Sequence, residues 1–336
     1  MRVPTIFHPH RRRPDSIRQL LVKTAICLFA SLVAFGWPLP RGVAVPLPSV
    51  TASAATASGA ATPSPVQPEH RTFLWSVSSS SATVYLLGSV HVASPAVYPL
   101  DPRIESAFDG ADTLVLEMAL DPATQVQVGQ KLAIAGTYPA GDTIDLHLNR
   151  ESLQLLQQRL TQSGAPFNSI RSFRPWFVAM LFTLSELQRL GYRPDLGIDV
   201  YFAGKARNRK RILGLETSDE QVALFAGMTE TAQEQMLKEA LSRLDELGEY
   251  MERALRFWRL GDTKAMDGLL VAPIRKDYPD MYQKIFADRS RKMADAVEGY
   301  LKGTGVYFVL VGSGHLTGPD GVLELLQGKG YVAIQQ

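Results

Sequence analysis

Two stretches decide the fold: Val84-Tyr85-Leu86-Leu87-Gly88-Ser89-Val90-His91 and Val309-Leu310-Val311-Gly312-Ser313-Gly314-His315. In each, a run of β-branched, aromatic and aliphatic residues predicts a buried strand, and a glycine ends that strand. A histidine follows three residues after the glycine in both copies. The pattern therefore predicts two histidines, each just beyond the end of a buried strand.

A third buried strand is predicted between these stretches, at Thr113-Leu114-Val115-Leu116-Glu117, and it ends in a carboxylate. Residues that follow the carboxyl ends of parallel strands line one shared crevice of an open α/β sheet. We therefore expect His91, Glu117 and His315 to lie close together, although they are far apart along the chain.

The remaining pattern extends the predicted sheet at both ends of the chain. Residues 73–77 and 83–87 predict a hairpin, and residues 306–311 and 331–334 predict two further strands. Between about 121 and 300 the apolar spacing is helical, with the longest helix expected at about 230–258 and a short strand ending in Glu216. The predicted fold is α/β, with a mixed, largely parallel sheet built from both ends of the chain and a large helical insertion.

The first 44 residues have the order of a signal peptide. Basic residues precede an apolar run from Thr24 to Trp37, and small residues follow it. The run is short for a membrane span, so we expect cleavage, with retention as an N-terminal membrane anchor as the alternative. This pattern predicts an exported protein, either periplasmic or membrane-anchored and facing the periplasm.

Composition divides the rest of the chain into a spacer and one large domain. Residues 45–69 are rich in Ala, Ser and Pro and predict a disordered spacer, whereas residues 70–336 can bury a core. The single cysteine, Cys27, lies in the apolar run, which excludes disulfides and thiolate chemistry from the domain. Beyond residue 44 there are 28 basic and 32 acidic side chains, so no nucleic-acid partner is predicted.

Two imidazoles and a carboxylate in one crevice form a ligand set for a divalent metal ion, which can activate water for hydrolysis. For a single motif, a histidine bonded to a nearby carbonyl is the commoner arrangement, but two copies beside a strand-terminal glutamate favour a metal site. Ser89 and Ser313 lie beside the glycines and could act as nucleophiles. Small residues suit a tight turn, and we favour that explanation for both serines.

These motifs resemble the TraB/PrgY/GumN family, which is related to the Tiki proteases and more distantly to erythromycin-esterase and ChaN-like proteins. The resemblance covers about residues 70–336 and rests on both GxxH motifs and on further short motifs: Leu114-Val115-Leu116-Glu117, Gly197-Ile198-Asp199, Gly214-Leu215-Glu216-Thr217 with Gln221, and Gly318-Pro319-Asp320-Gly321. It implies an α/β fold with a metal site and hydrolysis of peptide bonds outside the cytoplasm. The implied cofactor is a divalent ion such as Mn, Co, Zn or Fe.

The resemblance also implies roles for individual residues. His91, Glu117 and His315 would hold the metal, and Asp199 or Glu216 would act as a further ligand or as general base. Arg289 would stabilise a developing oxyanion or a substrate carboxylate, with an exposed charge on a helix surface as the alternative. Many members of the family have Arg-Asn where this chain has Arg289-Ser290.

Three functions remain open from the sequence. The first is an exported metal-dependent hydrolase that acts on a peptide, a small molecule or an envelope substrate. A metalloprotease is one form of this hypothesis. The second is a protein that binds haem or another cofactor through its histidines without turnover. The third is a non-catalytic protein of envelope or exopolysaccharide assembly, associated with the membrane through the N-terminal segment.

Overall fold

The computed structural model describes residues 71–119 and 122–336. The predicted signal peptide or anchor, at residues 1–44, and the predicted spacer, at residues 45–69, lie outside the described residues. Within the described ranges, no helix combines the length and the apolar character needed to cross a bilayer.

The described residues form a six-stranded sheet in the order β4-β3-β5-β2-β1-β6. Strands β4, β3, β5 and β2 run parallel to one another, and β1 is antiparallel to both β2 and β6. The sheet therefore joins both ends of the chain and is largely parallel, as predicted. The strands are β1 Leu74–Ser78, β2 Ala82–Ser89, β3 Thr113–Leu116, β4 Arg211–Gly214, β5 Gly305–Gly312 and β6 Ala333–Gln335.

Helices cover the sheet and form most of the segment between β3 and β5. A π-helical segment, Gln283–Ala287, directly precedes the helix that carries Arg289. The α-helices are α1 Pro102–Asp109, α2 Pro122–Ala135, α3 Arg150–Ser163, α4 Pro175–Arg189, α5 Ile198–Ala206, α6 Ser218–Ala226, α7 Glu230–Ser242, α8 Leu247–Arg259, α9 Thr263–Leu270, α10 Ala272–Asp277, α11 Pro279–Tyr282, α12 Asp288–Lys302 and α13 Val322–Gly328.

The prediction of one long helix at about 230–258 is wrong, because α7 and α8 are separate helices. Arg243 leaves the helical conformation, with φ −120° and ψ 9°, and a 3₁₀ turn at Leu244–Glu246 follows. Arg243 forms ion pairs with Glu239 and Glu246 across this turn. The apolar spacing continues through the turn because both helices bury an apolar face. Helix α7 packs on α3 and α4, and α8 packs on α9.

Strand register brings the sequence motifs to one edge of the sheet. In the β2–β5 pair, Gly88 lies opposite Val311 and Ser89 lies opposite Gly312. Strand β3 pairs with β5 on one side and with β4 on the other. The carboxyl ends of all four parallel strands therefore meet at one edge, where the chain carries His91, Glu117, Glu216 and His315.

Burial of the central strands anchors this edge. Leu86, Leu87 and Leu114 are fully buried, and Leu310 and Val311 are almost fully buried. Burying a side chain of this size contributes about 1.5–3 kcal/mol relative to leaving it exposed. The strand ends that carry the candidate residues are therefore among the firmly packed parts of the structure.

Candidate active site

The turn that carries His91 is held by close contacts around Gly88. A Cβ at Gly88 would lie 2.4 Å from the Phe73 ring, so a larger residue would clash. The Trp258 indole donates a hydrogen bond to the Gly88 carbonyl at 2.6 Å, and Ser313 Oγ donates to the Ser89 carbonyl at 2.9 Å. Ser313 thus links the two motifs through a structural hydrogen bond.

Asp199 lies against the Nδ1 side of His91. The backbone N–H of Ile198 donates to the Val90 carbonyl at 3.1 Å, which fixes the start of α5 next to His91. A Cβ at Gly197 would lie 2.4 Å from the His91 carbonyl, so this approach requires glycine. His91 Nδ1 is 3.1 Å from Asp199 Oδ2, and the ring then directs Nε2 toward Glu117.

His315 lies in the 3₁₀ turn Ser313–Leu316 and is almost completely buried. Its Nδ1 is 2.9 Å from the Ser290 hydroxyl. The Phe286 ring packs at 5.4 Å from the His315 ring, between ring centroids. A Cβ at Gly314 would lie 2.7 Å from Phe286, so the second motif needs a glycine directly before its histidine.

Arg289 joins two buried carboxylates behind the histidines. Its Nη2 donates to Glu117 Oε2 at 2.8 Å, and its Nε and Nη2 donate to the two oxygens of Glu216 at 2.6 and 2.7 Å. Gln221 adds a hydrogen bond to Glu216 at 3.0 Å. The backbone N–H of Glu216 also donates to the Glu117 carbonyl at 2.8 Å, which ties the end of β4 to the end of β3.

Side chains from three strand ends converge beside Gly312. A Cβ placed there would lie 3.1 Å from Glu117 Oε1, 3.2 Å from His91 Nε2 and 3.8 Å from His315 Cδ2. His91 Nε2 is itself 3.9 Å from Glu117 Oε1, and the Gly312 backbone N–H donates to that oxygen. The structure therefore brings His91, Glu117 and His315 around one point.

Electrostatics give the three side chains different protonation preferences. Burial opposes the charge on Glu117, but Arg289 and the two histidines outweigh it and lower the pKa of Glu117 to about 2. Burial and the Arg289 charge lower the pKa of His315 to about 3. For His91, burial is outweighed by the carboxylates of Asp199 and Glu117, so its pKa is raised. At neutral pH, Glu117 is ionised and His315 is neutral.

A cavity of about 70 Å³ opens onto this cluster. One side is formed by polar side chains, namely His91, Glu117, Arg289 and His315. Five further lining residues are apolar and form what we call the apolar wall: Met251 and Ala254 from α8, Met266 and Leu270 from α9, and Phe286. The helical insertion thus supplies the apolar wall and Arg289, whereas His91, Glu117 and His315 follow strand ends of the sheet.

The donor set suits a divalent ion, although it is not preassembled around one. Ligand atoms about 2.0–2.2 Å from one ion can be up to about 4 Å apart, and the His91 Nε2 to Glu117 Oε1 distance of 3.9 Å meets that limit. In residues 71–119 and 122–336, however, no group of three or more His, Cys, Asp or Glu side chains has the spacing of a metal site. Binding an ion among all three would require a change in side-chain position.

The other predicted site residues lie in a second layer. Asp199 contacts the His91 nitrogen that faces away from Glu117, and Glu216 lies behind Arg289. The alternative in which Arg289 is an exposed helix-surface charge is wrong, because the residue is 7% exposed. The carboxylates of Glu117 and Glu216 hold its guanidinium, because their negative charges offset the cost of burying a positive charge.

The apolar spacing of α8 predicts a packing face, and the structure adds that this face reaches the site. Met251 lines the cavity, and Trp258 holds the Gly88 carbonyl. Tyr250 and Ala254 also line the cavity. No local signal in the sequence indicates which neighbour these side chains meet.

The fold and the site define a class of α/β protein with paired GxxH motifs and a buried glutamate–arginine cluster at the sheet edge. A model of the TraB/PrgY/gumN family matches residues 73–334, and the chain belongs to this family. The family resemblance inferred from the motifs is thereby confirmed.

Relatives within curated proteins are distant and have uninformative names. The uncharacterized protein YbaP of Escherichia coli (strain K12) is 24% identical over 247 residues, which cover 72% of this chain and 87% of YbaP. An uncharacterized protein of Treponema pallidum (strain Nichols) is 23% identical over 325 residues, which cover 92% of this chain and 94% of that protein. No solved structure matches the chain.

Proposed function

We propose that the chain is an exported, metal-dependent hydrolase of peptide or related carbonyl substrates, with a divalent ion held by His91, Glu117 and His315. The observation that carries this proposal is the convergence of His91 Nε2, Glu117 Oε1 and the His315 ring on one point beside Gly312. A divalent ion held by these three side chains would polarise a substrate carbonyl and lower the pKa of water near it.

The chain's own residues would orient these ligands. Asp199 lies at His91 Nδ1 and directs Nε2 inward, and Ser290 lies at the corresponding nitrogen of His315. A polar partner on the second nitrogen is the usual companion of a metal-bound histidine. Arg289 keeps Glu117 ionised, so that Glu117 can bind a cation or accept a proton from water.

The size of the cavity favours this function over cofactor binding. Sites for drug-sized ligands commonly have volumes of about 300–1,000 Å³. The cavity beside the histidines has about 70 Å³, which suits an ion, water and a small substrate group rather than a haem macrocycle.

Metal analysis of protein purified without chelator tests the proposal. We expect about one divalent ion per chain in the wild type, and at least about a tenfold lower occupancy in His91→Ala and in His315→Ala. His147→Ala is the matched control, because His147 lies between Asp142 and Glu230, away from the cavity. Quenched fluorescent peptides supply the activity readout.

Equal metal content in all four proteins would contradict the proposed ligand set. Metal loss in both site variants, without peptide cleavage by the wild type, would restrict the proposal to metal binding. Cleavage that persists in His91→Ala would also contradict the assignment of this site.

A further inference from the structure

We propose that the apolar wall is a specificity pocket that binds a small branched aliphatic group of the substrate, next to the bond that is hydrolysed. The inference rests on the proposed hydrolase, because it assigns part of that enzyme's substrate. Its support comes from the lining of the cavity and from its volume.

The cavity has a division of chemistry that an ion and its waters alone do not require. Its polar lining includes the histidines, and the apolar wall contributes two methionines, a leucine, an alanine and a phenylalanine from the insertion. Ligand sites commonly combine an apolar lining with a few convergent polar groups that orient the ligand. An aliphatic group on the apolar wall would direct the adjoining carbonyl toward His91 and Glu117.

The volume limits the size of this group. An apolar cavity of about 150 Å³ is enough to bind benzene. The cavity here has about 70 Å³, roughly half of that, which favours an isopropyl group over a phenyl ring. We therefore infer selection for a branched aliphatic group over an aromatic one.

Phe286 and Met266, both in the apolar wall, differ in how well they tolerate substitution. Phe286 is fixed, because it packs closely on Gly314 and contacts the His315 ring. Met266 is 1% exposed and comes from α9, which reaches the cavity without contributing a polar residue to its lining. Methionine is flexible and tolerates substitution, so Met266 is the position at which the pocket can be enlarged.

Nuclear magnetic resonance on the full chain labelled with ¹³C-methyl methionine tests the pocket without requiring activity. Met251→Leu and Met266→Leu assign the two methyl signals, and isobutyramide and benzamide serve as probes. In the wild type, we expect both signals to shift on titration and isobutyramide to bind about tenfold more tightly than benzamide. In Met266→Ala, read at Met251, benzamide should gain about tenfold in affinity.

Met236→Ala is the matched control, because Met236 is equally buried in α7 and does not line the cavity. It should keep the wild-type preference. Leu270→Ala enlarges the same wall from the same helix, and it replaces Met266→Ala if that variant does not give a folded spectrum. The metal content of every sample is measured in parallel.

The outcomes separate the two proposals. Equal binding of both probes to the wild type, or no gain for benzamide in a folded enlarged variant, would overturn the specificity pocket, even if the protein holds a metal. The expected size preference in a protein that binds no divalent ion would support the pocket and contradict the hydrolase proposal.

Discussion

Trp258 donates its indole N–H to the carbonyl of Gly88 at 2.6 Å, and both residues are buried. This bond connects α8, in the middle of the insertion, to the end of the strand that precedes His91. The position of the first GxxH motif is therefore set partly by a residue 170 positions away along the chain.

Trp258→Phe should remove this bond and lower the free energy of unfolding by about 1–3 kcal/mol, because the Gly88 carbonyl loses a buried donor. Urea denaturation measures the change. Trp176→Phe is the control: Trp176 is fully buried, and its N–H has no hydrogen-bond partner among the described residues. Both substitutions shrink the ring, so an equal loss in the two variants would contradict a stabilising role for the indole bond.

The sequence predicted the strand ends and the three residues around Gly312 because local signals coincide there. A continuous apolar run predicts a buried strand, glycine ends it, and the parallel sheet brings such ends together. His91, Glu117 and His315 each follow a strand of this kind. Their relative positions therefore follow from topology, which the chain's pattern indicates well.

The sequence could not indicate which side chains of the insertion would reach that edge. Apolar spacing shows that one face of α8 is buried, yet Met251 faces a cavity and Trp258 faces a backbone carbonyl. The break at Arg243 was also hidden, because α7 and α8 continue one apolar stripe. Burial of Arg289 depends on two carboxylates that are distant in sequence, so a local pattern of charged residues gave no sign of it.

Arg289→Met should lower the free energy of unfolding by about 3–5 kcal/mol, because Glu117 and Glu216 would remain buried without their shared cation. Arg291→Met, in the same helix, is the control: its side chain is 46% exposed and pairs with Asp288, so a loss below about 1 kcal/mol is expected. Denaturant titration compares the two. Similar small losses would contradict the clamping role of Arg289.

The double variant Glu216→Gln/Arg289→Met tests the same cluster by coupling. Removing the charge of Glu216 takes away one of the two carboxylates that Arg289 compensates. The double variant should therefore lose less free energy of unfolding than the sum of the losses in Glu216→Gln and in Arg289→Met, by about 0.5–3 kcal/mol. Additive losses would indicate that Glu216 and Arg289 stabilise the fold independently.

His315 should make the metal-free protein less stable as the pH falls. Its pKa is about 3 in the folded chain and 6.5 ordinarily, so the unfolded chain takes up a proton first. The stability that its neutral form contributes is present above pH 6.5 and is lost as the pH falls toward 3, by up to about 1.4 kcal/mol per pH unit. Urea titrations with chelator from pH 7 to 5 should show this slope in the wild type and a shallower one in His315→Gln. The same pH dependence of stability in both proteins would contradict this contribution of His315.

His91 should contribute with the opposite sign, because its folded pKa is raised above 6.5 by the carboxylates of Asp199 and Glu117, which outweigh burial. That stabilisation is fully present below pH 6.5 and is lost as the pH rises through the raised pKa. The stability difference between the wild type and His91→Gln should therefore shrink as the pH rises above 6.5 and passes through the raised pKa. The same urea titrations check it, and a difference that grows with pH would contradict the His91–Asp199 interaction.

Gly312→Ala tests whether a cation binds among the side chains that surround Gly312. The backbone there has φ −50° and ψ 136°, which alanine adopts without strain, so the fold should be retained. The new Cβ would lie 3.1 Å from Glu117 Oε1 and 3.2 Å from His91 Nε2, and the two side chains must move apart by a few tenths of an ångström. Metal sites tolerate distance errors of only about 0.2 Å, so affinity for a divalent ion should fall by about 10–100-fold.

Gly299→Ala is the control, because a Cβ at Gly299 in α12 would meet nothing within 4 Å. This variant should bind the ion normally, and its free energy of unfolding should rise by about 0.5–1 kcal/mol. Competition with a chromogenic chelator measures both affinities. Unchanged binding by Gly312→Ala would show that the ion, if any, lies elsewhere in the protein.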